Sequence, residues 1–462
     1  MKSFSPKLVS FCTAALLLAA CKFPLQPNPA SGATAATPAT TVSTPTVAVT
    51  TRVTATESAT PTNTTILTPT TTAPAATANQ SVVPPADAAS ARLKVPAGFA
   101  VRIYAKGLNE PRLMTLGPDG SLYVAERGAD QVVRLVDANN DGLADENQVV
   151  AKDVNGVHGL EWHDNWLYVA EGDKIERLQD TNKDGELDRR EQVTDNIPGP
   201  VHHTSRTLHF GPDGMLYVST GSSSNNDPET DPRRAAMLRF NADGSIPSDN
   251  PFANDPNEQR RPLWAEGLRN SVDFLFLADG RLWADHQGSD ELGNDVPPEE
   301  VVVQVEKGKH YGWPYCYTPT LGKVPPGTKE VHDERVPFGD GVQSCDQVAP
   351  ALFTDLAHSA PIGMTQYNQK AFPADYQGNL FIAYHGSWNS TQARDCKVQL
   401  VVVQNGAPTS SQTFMTGFRD NEQQQCGSAW GRPAGVMVGP QGELFVSDDQ
   451  NGNVYRVVYV GP

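Results

Sequence analysis

The chain has 462 residues, a formal net charge of −17 and a hydrophobic fraction of 38%. This acidity argues against nucleic-acid binding, because a phosphate backbone repels a negatively charged protein. No apolar run after the N-terminus approaches the ~18 residues that a transmembrane helix needs. The remaining chain is long enough to bury a sizeable core.

Residues 1–20 are typical of a secretory signal peptide, with a basic start, a short apolar stretch and small residues at the end. The sequence Leu18-Ala19-Ala20-Cys21 resembles a bacterial lipobox, which predicts that Cys21 becomes the lipidated first residue of the mature protein. An ordinary cleaved signal peptide is the alternative. Lys22, in place of an acidic residue, favours attachment to the outer membrane facing the periplasm, with the lipid as the only membrane anchor.

Residues 24–90, which make up nearly all of the segment 21–90 after the signal peptide, consist almost entirely of Ala, Thr, Pro, Ser and Val. Such a composition cannot bury enough apolar surface to offset the entropy of ordering the chain, so it predicts a disordered tether. The folded domain is therefore expected over residues 91–462.

One hairpin pattern recurs along the folded region: a strand with alternating apolar residues, a tight turn and a second apolar strand. A third strand follows most of the hairpins, as at 132–136 and 454–458, and a fourth follows in the first unit. Six units of four antiparallel strands predict an all-β fold, a six-bladed β-propeller. The hairpins lie at residues 116–125, 160–170, 207–221, 274–284, 376–383 and 438–447.

The ends of the domain indicate how the ring closes. Residues 100–104 have the pattern of a fourth strand, whereas the sixth unit ends after its third strand. We therefore expect the N-terminal strand to complete the last blade. Two sandwich domains are the structural alternative, which the even spacing of the turns disfavours.

The loops before the innermost strands and the loops after the second strands of a propeller open at one mouth of its channel. Most of the histidines fall in these loops, so we expect them to converge there and to mark the functional site. The first set of loops supplies Arg112, His158, His202, His203, Arg206, Arg269, Asn270, His358 and Arg432, and the second supplies Glu126, Arg127, Glu171, Ser222, His286, Gln287, His385, Trp388 and Asp448.

Four cysteines remain after Cys21, and an even number in an exported chain suggests two disulfides. Four cysteines allow three pairings, which the sequence does not distinguish. We expect Cys316 to pair with Cys345 and Cys396 with Cys426, because this pairing closes the shorter loops.

Five short motifs stand in order along the folded region. They are His203 ahead of Phe210-Gly-Pro-Asp-Gly214, then Leu268-Arg269-Asn270, His310-Tyr-Gly-Trp-Pro314, His385-Gly-Ser-Trp-Asn389 and Gly431-Arg432-Pro433. In this order they resemble the soluble aldose and sorbosone dehydrogenases that use pyrroloquinoline quinone, and the resemblance covers about residues 95–460. It implies an oxidoreductase that acts on CH–OH or aldehyde groups.

The cofactor of this family is a planar quinone with three carboxylates. It needs cations around its rim and a Lewis acid at the quinone oxygens. By the resemblance, Arg269, Asn270 and Arg432 contact the cofactor. Arg206, at the same mouth, is a further candidate for cofactor binding.

The family also binds one calcium ion against the quinone, partly through backbone carbonyls. The resemblance matches that loop approximately to Gln287 and Gly288. A lysine that lies near the cofactor in the family has no clear counterpart in this sequence. We expect His385 to substitute for it, with Lys397 as the second choice.

His203 matches the general base of the family, which takes the proton of the anomeric hydroxyl while hydride passes to the quinone. We expect a neutral imidazole with a pKa near neutrality. Glucose dehydrogenases have an aspartate directly before the base, where this chain has His202. This difference favours the sorbosone-like branch, and either the carboxylate that orients His203 comes from elsewhere or the rate is lower.

Two acidic loops carry the Asp/Asn/Asp/Gly spacing of a calcium-binding loop. Both lie between the third and fourth strands of a blade, away from the mouth, and the alternative is an ordinary acidic turn. The predicted ligands are Asp180, Asn182, Asp184, Glu186, Asp188 and Glu191 in one loop and Asp137, Asn139, Asp141 and Asp145 in the other.

These features predict a quinoprotein dehydrogenase that oxidises a sugar, an aldose or a ketoaldose such as sorbosone, with pyrroloquinoline quinone and calcium. The sequence has no Cys-X-X-Cys-His motif for haem attachment, so electrons would pass to a separate acceptor, a cytochrome or a quinone. The alternatives are a lactonase-type propeller hydrolase with a central metal and a non-catalytic binding propeller. A mouth rich in Arg and His favours the anionic cofactor.

Overall fold

The computed structural model describes residues 82–387 and 389–461. The predicted signal peptide, Cys21 and the tether up to residue 81 lie outside the described residues. Residues 82–90 contact the domain, since the Val82 carbonyl accepts a hydrogen bond from Arg456 at 2.9 Å, and helix α1 (Ala88–Arg92) follows. No helix among the described residues is long and apolar enough to cross a membrane.

The described residues form the predicted all-β propeller, and its six blades are antiparallel sheets around a central channel. The first strand of the chain, β1 (Phe99–Lys106), belongs to the last blade. Blade one contains β2 (Pro111–Leu116), β3 (Leu122–Glu126), β4 (Gln131–Val136) and β5 (Glu146–Lys152). Blade two contains β6 (Leu160–His163), β7 (Trp166–Ala170), β8 (Ile175–Gln179) and β9 (Arg189–Thr194). Blade three contains β10 (Arg206–Phe210), β11 (Leu216–Thr220), β12 (Ala236–Phe240) and β13 (Leu263–Glu266).

Blade four differs from the others because a long insertion interrupts it. Its sheet contains β14 (Phe274–Phe276), β15 (Leu282–His286) and β16 (Glu299–Val305), and the insertion holds the two-stranded ladder of β17 (Cys316–Tyr317) and β19 (Val331–His332). Within the insertion, β18 (Gly322–Lys323) adds a fifth strand beyond the fourth strand, β20 (Phe353–Asp355). Blade five contains β21 (Pro361–Gln366), β22 (Leu380–Tyr384), β23 (Lys397–Gln404) and β24 (Ala407–Met415), and blade six contains β25 (Pro433–Val438), β26 (Leu444–Asp448) and β27 (Asn453–Tyr459). Single 3₁₀ turns lie at Arg127–Ala129, Glu258–Arg260, Cys345–Gln347, Ala374–Tyr376 and Cys426–Ser428.

The innermost strands close the ring. Each of β2, β6, β10, β14 and β21 contacts the next innermost strand, and β25 contacts β2. β1 pairs antiparallel with β27, with Arg102 opposite Arg456. The N-terminal strand therefore completes the last blade, which confirms the predicted closure.

The apolar side chains of each blade pack against the next blade. Between blades two and three, Tyr168, Leu208, Val218 and Leu238 are all buried in one cluster. Alternation along a strand places every second side chain on one face, so the hairpin pattern read from the sequence becomes this interface. Each fully buried side chain of this kind contributes about 1.5–3 kcal/mol, and the blades thereby form a firm frame for the loops.

Turns and disulfides fix the loops on this frame. Gly214 has a φ of +73°, which the Pro-Asp-Gly turn of blade three requires and which a residue with a Cβ rarely adopts. Cys316 pairs with Cys345 inside the insertion, and Cys396 pairs with Cys426 between blades five and six, each with a Cα–Cα distance of 5.8 Å. The predicted pairing is confirmed.

Candidate active site

A cavity of about 410 Å³ opens at one mouth of the channel, where the two predicted sets of loops meet. Asp290 and Glu299, which the sequence analysis missed, also line it. Trp388 lies outside the described residues. The predicted mouth residues that line the cavity are Arg112, Arg127, His202, His203, Arg269, Asn270, Gln287, Gly288, His358, His385 and Arg432.

His203 is held by a short chain of hydrogen bonds. Its Nδ1 lies 2.8 Å from Ser222 Oγ, and its backbone N–H donates to the Ser222 carbonyl at 3.1 Å. Ser222 Oγ donates its one proton to the Ser224 carbonyl at 2.6 Å. The proton between His203 and Ser222 must then come from Nδ1, so Nε2 carries the lone pair. A hydroxyl, rather than the expected carboxylate, orients this imidazole.

The surroundings of His203 keep it neutral. Burial first, and then the charges of Arg269 and His202, lower the pKa of His203 to about 2. The expectation of a pKa near neutrality was therefore wrong, because among the described residues no carboxylate lies within ion-pair distance of the ring, and the more distant charge of Asp290 does not offset burial. His203 can accept a proton over the whole physiological range, as a weak base.

Arg269 and Asn270 are held by the loops around them. Arg269 is buried; its guanidinium donates to the Asn225 carbonyl at 2.9 Å and pairs with Asp290 at 3.0 Å. Asn270 donates to the Gln287 side chain at 2.9 Å. Protein groups therefore orient both side chains before any ligand binds.

A glycine permits the close approach of the base and Asn270. A Cβ added to Gly221 would lie 2.3 Å from His203 Cβ and 2.8 Å from Asn270 Oδ1. Any side chain at this position would push the two functional residues apart.

Arg432 and His385 lie together on the blade six side of the cavity. Arg432 donates from Nε to the His385 carbonyl at 2.7 Å, and its backbone N–H is held by Asp448 at 2.8 Å. His385 Nε2 and Arg112 each lie 2.9 Å from Asp449. Burial lowers the pKa of His385 to about 4, against the opposing effect of Asp449.

Two predicted cofactor residues lie outside the cavity lining. Arg206 is buried and donates to the carbonyls of Pro198, His203 and Ser205 at 2.7–3.0 Å, so it holds the backbone of the loop that carries the base. Lys397 begins the third strand of blade five, and its Nζ lies 5.0 Å from the centre of the Tyr384 ring. Neither side chain is brought to the mouth.

The loop predicted to hold the cofactor calcium lies at the cavity wall. Gln287 donates to the Pro361 carbonyl at 2.8 Å, and the Gly288 N–H donates to Glu299 at 3.2 Å. No described residue donates a hydrogen bond to the backbone carbonyls of Gln287 and Gly288. Burial raises the pKa of Glu299 to about 7. This wall offers oxygen atoms, the ligands that calcium prefers.

The acidic loops bind their own backbones. Asp180 accepts hydrogen bonds from the N–H groups of Lys183 and Gly185 at 2.6 and 3.0 Å. Glu191, the last predicted ligand, lies in β9, where Arg177 and Arg189 bind its carboxylate. No group of three or more His, Cys, Asp or Glu side chains is arranged to hold a metal among the described residues. Calcium in these loops stays a prediction that rests on the spacing alone.

The remaining predicted ligands, apart from Glu186, make similar local contacts. In the first loop, Asn182 and Asp184 accept from the N–H groups of Asp184 and Glu186, and Asp188 accepts from that of Thr181. In the second loop, Asp137, Asn139, Asp141 and Asp145 accept from N–H groups within residues 138–143.

The fold and the site together define a β-propeller that can hold an anionic ligand beside a neutral histidine at one mouth of its channel. A family model described as TrAA12-like matches residues 93–460. The match covers most of the chain, and the protein belongs to this family.

Known proteins resemble the chain over most of its folded part. It is 27% identical to the pyrroloquinoline quinone-dependent pyranose dehydrogenase of Coprinopsis cinerea, over 79% of this chain and 54% of that enzyme. The chain thus spans about half the length of that relative. The holo form of the PQQ domain of the Coprinopsis enzyme has a TM-score of 0.63 and 23% identity, covering 79% of this chain and 97% of that one. The calcium structure of the Trichoderma reesei Carbohydrate-Active Enzymes Family AA12 has a TM-score of 0.65 and 21% identity, covering 80% of this chain and 97% of that one.

Proposed function

We propose that the protein is a quinoprotein dehydrogenase that oxidises a sugar at its anomeric carbon with pyrroloquinoline quinone. The observation that carries this proposal is the cavity itself, in which arginines from blades one, three and six surround a histidine with a free Nε2. An acidic chain with a cation-rich cavity is suited to an anionic ligand. Membership of a family with a quinone-dependent pyranose dehydrogenase among its relatives supports the same conclusion.

The residues present fit a planar tricarboxylate. Arg432 has no carboxylate within ion-pair distance among the described residues, so its charge is available to a ligand. Arg269 and Asn270 would contact the cofactor from the opposite side, and the carbonyls of Gln287 and Gly288 would hold calcium. When bound, the quinone supplies a hydride acceptor.

His203 is the base in this proposal. Its Nε2 lone pair would take the proton of the anomeric hydroxyl, and the Ser222 hydroxyl would hold the ring in the tautomer that leaves Nε2 free. A positioned base of this kind contributes about 10²- to 10⁴-fold to the rate. This step requires a substrate with an anomeric hydroxyl, as in an aldose or a ketoaldose such as sorbosone.

The test is reconstitution of the apoprotein with pyrroloquinoline quinone and calcium, followed by a dye-linked assay of sugar oxidation. We expect uptake of one quinone and sugar-dependent dye reduction. Arg432→Ala should weaken quinone binding about 10- to 100-fold, the scale of a lost hydrogen bond to a charged group.

Arg134→Gln is the matched control, because Arg134 pairs with Asp119 on blade one and does not line the cavity. Absence of quinone uptake by the wild type would overturn the proposal and favour the binding propeller. Hydrolysis of a lactone without quinone would favour the hydrolase.

A further inference from the structure

Two arginines of blade one line the cavity in addition to the predicted cofactor contacts. Arg112 lies in β2, and Arg127 follows β3 directly. The Arg127 guanidinium donates to the Thr204 hydroxyl at 2.8 Å. No carboxylate of residues 82–387 or 389–461 forms an ion pair with Arg127 within 4.0 Å.

The backbone that carries Arg127 is fixed. Its N–H donates to the Glu110 carbonyl at 3.2 Å, and the next N–H donates to the Asn109 carbonyl at 3.1 Å. The buried carboxylate of Glu126 accepts from the Asn109 N–H at 2.5 Å. These hydrogen bonds fix the backbone position from which the Arg127 side chain enters the cavity wall.

Positive charge exceeds negative charge on this side of the cavity. Arg112 pairs with Asp449, which also contacts His385, while Glu110, Asp449 and Asp130 act on Arg127 from beyond ion-pair distance. Arg112 Nε is buried without a hydrogen-bond partner. Burial and the nearby charge of Arg112 lower the pKa of Arg127, so a bound anion would relieve repulsion between the two guanidinium groups.

The contact with Thr204 places Arg127 beside the loop of the base. His203 precedes Thr204 directly in the chain, and a base that takes a substrate proton must face the substrate. An anion bound by Arg127 next to this loop would therefore belong to the substrate. The three carboxylates of the cofactor have Arg269, Asn270 and Arg432 as their partners in the proposed function.

We propose that Arg127, assisted by Arg112, forms a carboxylate subsite, so that the enzyme prefers sugars that carry a carboxylate, such as uronic acids, over neutral sugars. The inference rests on the proposed function. Oxidation of such a sugar would remove a proton from the anomeric hydroxyl, which His203 would accept, and a hydride from C1, for which the bound quinone would supply the acceptor. A lactone forms, and the carboxylate of the sugar is unchanged.

Two experiments test the subsite with the quinone-loaded protein. Calorimetry measures binding of methyl glucuronide, which has no free anomeric hydroxyl and cannot be oxidised there. Turnover compares glucuronate with glucose, which differ only in the carboxylate at C6. Arg127→Gln should weaken binding of the glucuronide and lower the ratio of kcat/KM for glucuronate over glucose by about 10- to 100-fold, through KM rather than kcat.

Arg127→Lys retains the charge and should recover part of the ratio, whereas Arg134→Gln should leave it unchanged. Added salt should weaken glucuronide binding in the wild type and have less effect in Arg127→Gln. Equal loss on both sugars, or weaker quinone binding in Arg127→Gln with an unchanged sugar ratio, would assign Arg127 to the cofactor and overturn the inference. If the wild type binds the glucuronide through Arg127 but oxidises no sugar, the proposed function fails while the subsite stands.

Discussion

His203 lies in the loop just before the innermost strand β10, and His209 lies near the far end of that strand, and their surroundings have opposite effects on the imidazole pKa. His203 faces the mouth, where burial and the charge of Arg269 lower its pKa to about 2. His209 lies toward the other end of the channel, with Nδ1 2.8 Å from Glu161 and Nε2 3.2 Å from Asp273. Burial disfavours its charge, but these two carboxylates raise the pKa of His209 to about 10.

The difference shows that the neighbours, rather than the residue type, decide what a histidine can do. With a carboxylate at each ring nitrogen, His209 is a cation with no free lone pair, so it can hold blades two, three and four together but cannot act as a base. With a hydroxyl at Nδ1 and arginine nearby, His203 is neutral and has Nε2 free. Among the described residues no carboxylate lies within ion-pair distance of His203, whereas two other histidines of the same mouth, His358 and His385, contact Asp290 and Asp449.

Removal of the base should have the largest effect. His203→Ala should still bind the quinone, because Arg269 and Arg432 remain, but its reduction by sugar should slow by about 10²- to 10⁴-fold. Stopped-flow reduction of the quinone-loaded variant measures this rate. His202→Ala is the matched control, and its rate of quinone reduction should fall less. A wild-type rate in His203→Ala would contradict the proposed mechanism.

Replacement of His209 should affect stability instead of chemistry. His209→Gln leaves Glu161 and Asp273 without their cation, at a cost of about 2–4 kcal/mol of unfolding free energy once partial exposure is allowed for. Denaturant unfolding measures this loss. His163→Gln, on the neighbouring strand β6, should cost less because His163 contacts only one carboxylate, Asp164 at 3.5 Å.

The same replacement should change the pH dependence of stability. The folded-state pKa of His209, about 10, exceeds the ~6.5 of an unfolded histidine. Its stabilisation is therefore complete below pH ~6.5 and is lost as the pH rises through about 10. The melting temperature of the wild type should fall as the pH rises through this range, and that of His209→Gln should fall less. Parallel curves for the two proteins would contradict the assigned charge.

The sequence predicted the frame of the site well, because strand alternation and turn chemistry are local. The hairpin register was sufficient to bring His203, Arg269 and Arg432 to one mouth. The register could not predict the contacts that these residues make with other loops. Asp290 and Asp449 belong to blades four and six, and no local sequence pattern relates them to Arg269 or His385.

The two misplaced cofactor residues have a common explanation. A register argument gives the end of the blade at which a residue lies, but not the direction of its side chain. Arg206 lies at the correct end, yet its guanidinium binds the carbonyls of its own loop. Lys397 follows a long loop, and its ammonium group lies over Tyr384.

The smallest predicted effect is a shift in a pH profile, and it tests the contrast between the two histidines directly. Ser222→Asp would place a carboxylate behind Nδ1 of His203, which is the feature that makes His209 cationic. A carboxylate at this distance raises the pKa of an imidazole by about 1–3 units. Because the base must be unprotonated to act, the acid limb of kcat/KM should move to higher pH by a similar amount.

The comparison with Ser222→Ala separates charge from orientation. That variant removes the acceptor of the Nδ1 proton without adding charge, so kcat should fall by up to about tenfold while the acid limb stays where it is in the wild type. The pH–rate profiles of the three proteins with one sugar provide the measurement. If Ser222→Asp left the acid limb in place, then either His203 is not the base or its Nδ1 does not face Ser222. If it moved as expected, a carboxylate at Nδ1 would account for part of the difference between the pKa of His203, about 2, and that of His209, about 10.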